Sequence, residues 1–359
     1  MAGRGCRQAE GLKEDMTKMN RSMDLAWCCI AAFLCAMLSG CGNTPGAATV
    51  PKNAPASGLW QVVATTGMVA DLVRQVGEGR VKVESLMGEG VDPHLYKPTV
   101  RDVKLLESAD LVFYNGLMLE GRMQDVLQRL QASGRPVFAV TDGIPRDRLI
   151  APEGFAGHYD PHVWMDVGMW SLCVDYVAEC LERVDPQARD VYRANAARYK
   201  AELEELDEYV RRVIGSIPEP HRVLVTAHDA FHYFSRAYQI PVRAPQGIST
   251  ETEPGVKDIN DLVQFLVDRR IRAIFVETSV PEANVRAVLE GAARLGWRVQ
   301  VGGALFSDAM GPPGTYEGTY IGMLDHNATV IARALGGQAP PRGMKGRLSV
   351  GESGKAGGR

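Results

Sequence analysis

Thiols are scarce where a folded body would use them. The 359-residue chain holds seven cysteines, but Cys6, Cys28, Cys29, Cys35 and Cys41 all lie near its start. Only Cys173 and Cys180 remain. They sit seven apart on one predicted helix, about 10 Å along its axis, which is too far to bridge. A disulfide framework is therefore excluded, and two buried thiols acting as small apolar residues are expected. Phosphate and nucleophile loops are missing too. No Gly-x-Gly-x-x-Gly follows a strand, and no P-loop or Gly-x-Ser-x-Gly elbow occurs, so nothing points to nucleotide binding or serine hydrolase chemistry. Basic excess is the third absence. From Cys41 onward 35 Lys and Arg face 39 Asp and Glu, and the tail after Gly336 carries a net +4, leaving the body near −8. That balance argues against nucleic acid and suits a cationic ligand.

The one long apolar run, Leu25 to Leu38, is too short to span comfortably as a mature membrane helix. Arg21 lies before it and Leu38-Ser39-Gly40-Cys41 after it, so residues 1–40 read as a signal peptide of an exported protein. Leu-Ser-Gly-Cys resembles the lipobox of bacterial lipoproteins. That resemblance implies cleavage before Cys41 and a lipid anchor on its thiol, at the membrane on the periplasmic or cell-surface side; an uncleaved anchor helix is the alternative. Residues 41–58, built of Gly, Ala, Pro, Ser and Asn, form a flexible tether.

Beyond the tether, short β-branched runs alternate with helical patterns. Strands are expected near 60–65, 81–86, 110–114 and 136–140, with helices near 67–78, 99–108, 120–132 and 167–184. A second series has strands at 222–226, 240–244, 272–276 and 297–301 and helices at 229–238, 255–270, 281–295 and 316–335. Such alternation predicts α/β units with mostly parallel sheets. Between the series, Tyr192, Ala196, Tyr199, Leu203, Leu206, Val210, Val213 and Ile217 recur at alternating spacings of four and three, a helical stripe. The expected organisation is an N-terminal lobe over 59–185, a linking helix over 186–217, a C-terminal lobe over 218–336 and a disordered tail over 337–359. One isolated stretch of about four heptads favours packing within a monomer over a coiled-coil dimer.

Four segments place metal-ligand residue types at strand or loop mouths: Asp92-Pro93-His94, Asp160-Pro161-His162, Thr226-Ala227-His228 and Phe306-Ser307-Asp308. Three imidazoles and one carboxylate can close a tetrahedral shell around a transition ion. Proline stiffens each Asp-Pro-His segment, and His228 ends an apolar strand, where open α/β lobes bind ligands. Glu277 ends the strand Ala273–Val276 and is a candidate to hydrogen-bond a ligand histidine. His158 reads as a rim residue, and His232 as packing on the helix with Phe231, Tyr233 and Phe234. His326 reads as structural, and Glu251 and Glu253 as caps. At working pH an ionised Asp308 among three neutral imidazoles is expected.

These segments, with His228-Asp229-Ala230-Phe231, Gly247 to Pro254 and Phe275-Val276-Glu277, resemble the TroA-like metal-binding receptors of bacterial zinc and manganese ABC importers. The resemblance runs from about Gln61 to Gly336. It implies two similar α/β lobes joined by one long helix, with the metal at the lobe interface. It also implies His94, His162, His228 and Asp308 as ligands, Zn2+ as cargo with Mn2+ or Fe2+ as alternatives, and a membrane permease as partner. Zinc-dedicated members often carry a His-rich loop in the first lobe, and 120–157 contains no histidine. Manganese-dedicated members often have Glu where this chain has His228. A non-enzymatic receptor is the expected function. The rival from another class is a secreted zinc hydrolase that uses His228 and His232, with Asp229 as base, in the manner of His-Glu-x-x-His. An adhesin is a third reading, on which the residues are silent.

Overall fold

A computed structural model describes residues 58–349, apart from 154 and 156. The segment expected to be a signal peptide, Cys41, the expected tether up to residue 57 and the last ten residues lie outside the described part. The first lobe starts with β1 (Trp60–Ala64), α1 (Gly67–Val76), β2 (Val81–Ser85), α2 (Val100–Ser108), β3 (Leu111–Tyr114), α3 (Gln124–Ala132) and β4 (Val137–Ala139). Its four strands pair in parallel in the order β2-β1-β3-β4. The central strands β1 and β3 are buried almost throughout, as parallel strands covered on both faces must be. Threonines start the first two helices. The Thr66 hydroxyl accepts from the amide of Val69, and Thr99 and Asp102 form a reciprocal box at the start of α2.

Two long helices follow, α4 (Val167–Val184) and α5 (Arg189–Gly215). The 27 residues of α5 span about 40 Å. Every residue of its predicted stripe is buried, including Ile217 just beyond the helix. That stripe packs on α4, on α1 and on α9 (Tyr320–Ala334), the last helix among the described residues, so it ties both lobes to one spine. Cys173 and Cys180 are buried and free inside α4.

The second lobe adds β5 (Leu224–Val225), α6 (His232–Tyr238), β6 (Val242–Arg243), α7 (Val256–Asp268), β7 (Ala273–Glu277), α8 (Ala283–Arg294) and β8 (Gln300–Leu305). All its ladders are parallel, but they form two pairs, β5-β6 and β7-β8, rather than one continuous sheet. The strands expected at 222–226 and 240–244 shrink to two residues each. Before β5 the amides of Arg222 and Val223 turn back to the carbonyls of Glu219 and His221 instead of joining the ladder, and beyond it the amides of Ala227 and His228 donate to the Glu277 carboxylate at 2.7 and 2.9 Å. At the β7-β8 register shift, a Cβ on Gly302 would lie 2.6 Å from the Phe275 ring. Only glycine lets the strand pass there.

The tail departs from expectation. Disorder was expected from 337, yet 337–349 lie against the body. Leu348 is 3% exposed. The Met344 amide donates to both oxygens of Asp325, and the Ser349 amide donates to Glu317 at 2.6 Å. The Arg347 guanidinium lies 4.5 Å from the centre of the Tyr316 ring. Composition missed this because the acceptors belong to the body, not to the tail. Among the described residues no helix is long and apolar enough to cross a membrane.

Candidate metal centre

Both Asp-Pro-His segments fold as turns closed by their own aspartates. Asp92 Oδ1 accepts from the His94 amide at 2.9 Å, and Asp160 Oδ1 accepts from the His162 amide at 2.9 Å. Asp160 Oδ1 also lies 2.7 Å from His162 Nδ1. The Asn115 amide donates to Pro161 O and the Tyr233 hydroxyl to Asp160 O, which fixes this turn from both lobes. His228 leaves β5 with its Nδ1 held 2.5 Å from Glu277 Oε2, the position proposed for that carboxylate from the strand end. Asp308 sits past β8, where the Asn327 side chain brackets Phe306 by donating to its carbonyl and accepting from its amide. The Trp164 indole donates to Ser307 O across the lobes at 2.9 Å.

The result is convergence. His94, His162, His228 and Asp308 each offer one donor atom, and these atoms lie within 4.8 Å of one another. All four residues are buried, His162 and His228 completely. Asp308 Oδ2 is 3.2 Å from His228 Nε2 and 3.7 Å from His94 Nε2, and Oδ1 is 3.4 Å from His162 Nε2. Even so, His228 Nε2 and both Asp308 oxygens lack a partner in hydrogen-bond geometry. Buried polar atoms without partners are costly. Here they share one small space, and a cation would satisfy all of them.

Electrostatics sharpen the picture. Desolvation drives His94 down to about 3, so it stands neutral. Burial also opposes charge on His162, but Asp160 and Asp308 outweigh it and raise the ring to about 9. At His228 burial is likewise overcome by Glu277 and Asp308, and the ring goes well above its usual range. Burial pushes the Asp308 carboxyl up, yet His228 and His162 hold it well below the carboxylate range. The expectation of three neutral imidazoles is thus corrected. Without metal, two rings hold protons against the ionised Asp308, and an ion takes their place.

His232 does not join the four. Its Nδ1 lies 3.0 Å from Asp160 Oδ2 and its Nε2 3.0 Å from Asp229 Oδ2. It therefore does more than pack on α6. It lines a surface cleft of about 650 Å³ with Ile150, Phe155, Asp229 and Ile248. His158 is an exposed loop residue. His326 Nε2 is 3.0 Å from Ala304 O, a structural contact. Glu251 and Glu253 do not cap α7. Glu251 pairs with Arg122 of the first lobe at 3.0 Å and Glu253 accepts from Asn284, while Asp258 accepts from the Gly255 amide at the helix start. Sequence reasoning missed Asp92, Asp160, Thr250 and His232 as supports. The repeated Asp two residues before His was the available signal for the first two; nothing marked Thr250.

Residues 62–334 match the family model described as ZnuA, zinc-uptake complex component A, periplasmic. The chain belongs to this family. It is 46% identical over 298 residues to the manganese-binding lipoprotein MntA of Bacillus subtilis, covering 83% of this chain and 95% of the relative. To the zinc-binding protein TroA of Treponema pallidum it is 45% identical over 307 residues, 86% of this chain and 97% of the relative. The solved structure of the periplasmic zinc-binding protein TroA superposes with a TM-score of 0.75, covering 77% of this chain and 99% of that one. The two-lobed fold with a long connecting helix is the fold of this family.

Proposed function

We propose that this chain is an extracytoplasmic receptor that captures one divalent transition metal, Zn2+, and delivers it to an ABC permease. The observation that carries the reading is the buried set of His94, His162, His228 and Asp308, whose donor atoms lie within 4.8 Å of one another, with His228 Nε2 and both Asp308 oxygens left without a hydrogen-bond partner. Membership of a family of metal-uptake components supports it. Three imidazoles and one carboxylate suit a tetrahedral zinc ion, and affinity order places zinc above manganese and iron(II) in such a site. Relatives in the family are named for zinc and for manganese. Cys41 is the proposed lipid anchor, consistent with relatives named as lipoproteins. The spine of α5 argues for release by a small tilt of one lobe on the other.

The hydrolase reading loses its footing in the geometry. Both ring nitrogens of His232 face carboxylates, and four protein donors leave no open position for a catalytic water. The deciding experiment loads metal-depleted protein with Zn2+, Mn2+ and Fe2+ in competition and measures bound elements. One zinc per chain is expected, lost in Asp308→Ala and in each His→Ala variant at 94, 162 and 228. Preferential retention of manganese would replace zinc as cargo. Undiminished binding in Asp308→Ala would end the reading.

A further inference from the structure

The two Asp-Pro-His turns share a second feature. In each, the aspartate has one oxygen on its own histidine and the other on the opposite lobe. Asp92 Oδ1 takes the His94 amide, while Oδ2 takes the hydroxyl of Thr250 at 2.6 Å. Asp160 Oδ1 takes the His162 amide, while Oδ2 lies 3.0 Å from Nδ1 of His232. Thr250 and His232 both belong to the second lobe. Each is also wired to the ligand of that lobe. The Gln246 side chain donates to Thr250 O at 3.1 Å, and Gln246 forms a strand bridge with His228. His232 Nε2 meets Asp229, the residue after His228.

We propose that Asp92 and Asp160 are lobe-spanning clasps, with Thr250 and His232 as positioning residues that hold the lobes shut on the metal and set its release rate. The inference rests on the receptor reading. A carboxylate bonded on both sides couples two events that would otherwise be independent. Separation of the lobes removes the Thr250 or His232 bond, and the freed aspartate then holds its histidine less rigidly. Hydrogen bonds to a charged acceptor removed from water, fully for Asp160 and partly for Asp92, are among the stronger ones, and their geometry is restrictive. Outer partners of this kind are worth about 10-fold to 100-fold in metal retention. Thr250 and His232 donate no atom to the metal, so their loss should leave the capacity of one ion per chain intact.

The test uses the full-length chain in detergent, loaded with Zn2+ and mixed rapidly with an excess of a chromophoric chelator. Thr250→Val keeps the shape and removes the hydroxyl; His232→Phe removes both ring nitrogens. Each should release zinc about tenfold faster, with the capture rate within about twofold of the parent. Thr250→Ser and His232→Gln, which keep a donor toward the aspartate, should restore slow release. A purely structural role would lower the melting temperature of both members of each pair without splitting release from capture. If Thr250→Val fails to fold, His232→Phe still decides, because that side chain is part-exposed. Unchanged release in the variants overturns the clasps. Failure of the parent chain to take up zinc would instead overturn the receptor reading, before any variant is compared.

Discussion

Replacing Glu277 by Gln isolates one carboxylate on which His228 depends. Glu277 is 4% exposed and takes three donors: the amides of Ala227 and His228 at 2.7 and 2.9 Å, and His228 Nδ1 at 2.5 Å. A glutamine can keep its oxygen on the two amides, but its NH2 then faces Nδ1. Two donors cannot share that contact. The ring must either turn away or move its proton to Nε2, the nitrogen that points 3.2 Å toward Asp308. A protonated Nε2 has no lone pair for a metal. Loss of such an outer partner lowers metal affinity about 10-fold to 100-fold, about 1.4 to 2.7 kcal/mol. Glu277→Ala is a poorer probe, since it strands three buried donors at about 1–3 kcal/mol each. Competition against a chelator of known zinc affinity measures the loss, and thermal melting of the metal-free protein reports folding separately. Zinc binding by Glu277→Gln within about threefold of the parent would refute the assignment of Glu277 as the group that orients His228.

Zinc binding at pH 7 should release protons, because the folded-state values of His162, about 9, and of His228 lie above the ordinary 6.5. Those protons are held until the pH rises through the raised values, so apparent affinity climbs between about pH 7 and 9. Calorimetry in buffers of different ionisation enthalpy reads the release, and a buffer-independent heat would contradict it. Asp185 accepts from Trp60, Arg80 and Tyr192. Burial works to raise its pKa, but those bonds outweigh burial and depress it. Its stabilisation is therefore present above the unfolded carboxylate value of about 3.9 and fades as pH falls through the lower folded value. Asp185→Asn should melt lower than the parent at pH 7, with the gap closing under acid; a constant gap from pH 7 to 2 would show the charge to be irrelevant. Gly302→Ala drives a methyl into the Phe275 ring and should cost about 1–3 kcal/mol, visible as a lower melting temperature. An unchanged melt would mean that β8 shifts freely.

Much of the site was legible because its ligands came with local chemistry. Two Asp-Pro-His turns and a histidine at a strand exit each carry a backbone reason for their position. The stripe of α5 was legible for the same reason, since a 3.6-residue period survives without tertiary context. Asp308 could be found only in company. A lone loop aspartate is ordinary, and its role follows from three rings that approach from elsewhere. What escaped were properties set across the lobes. The Thr250 hydroxyl on Asp92, the His232 ring on Asp160 and the Arg122–Glu251 pair each join residues far apart in the chain. Protonation escaped for a related reason. Reference values describe isolated rings, whereas His94 and His162, both beside Asp308, diverge because His162 also has Asp160 against its Nδ1. The late start of β5 reflects the amides of Arg222 and Val223, which bond back to Glu219 and His221 instead of to a neighbouring strand.

The segment 337–349 has a practical meaning. The match to the family model ends at residue 334, while the packed chain continues through residue 349. Fifteen further described residues, 335–349, run past Asp325 to Glu317, the latter in the stretch between Asp308 and α9. A recombinant product trimmed to the family boundary would therefore bare the seat of Leu348 and leave two acidic groups without their amide donors. The boundary drawn by the family match and the reach of the packed backbone are therefore different coordinates on this chain.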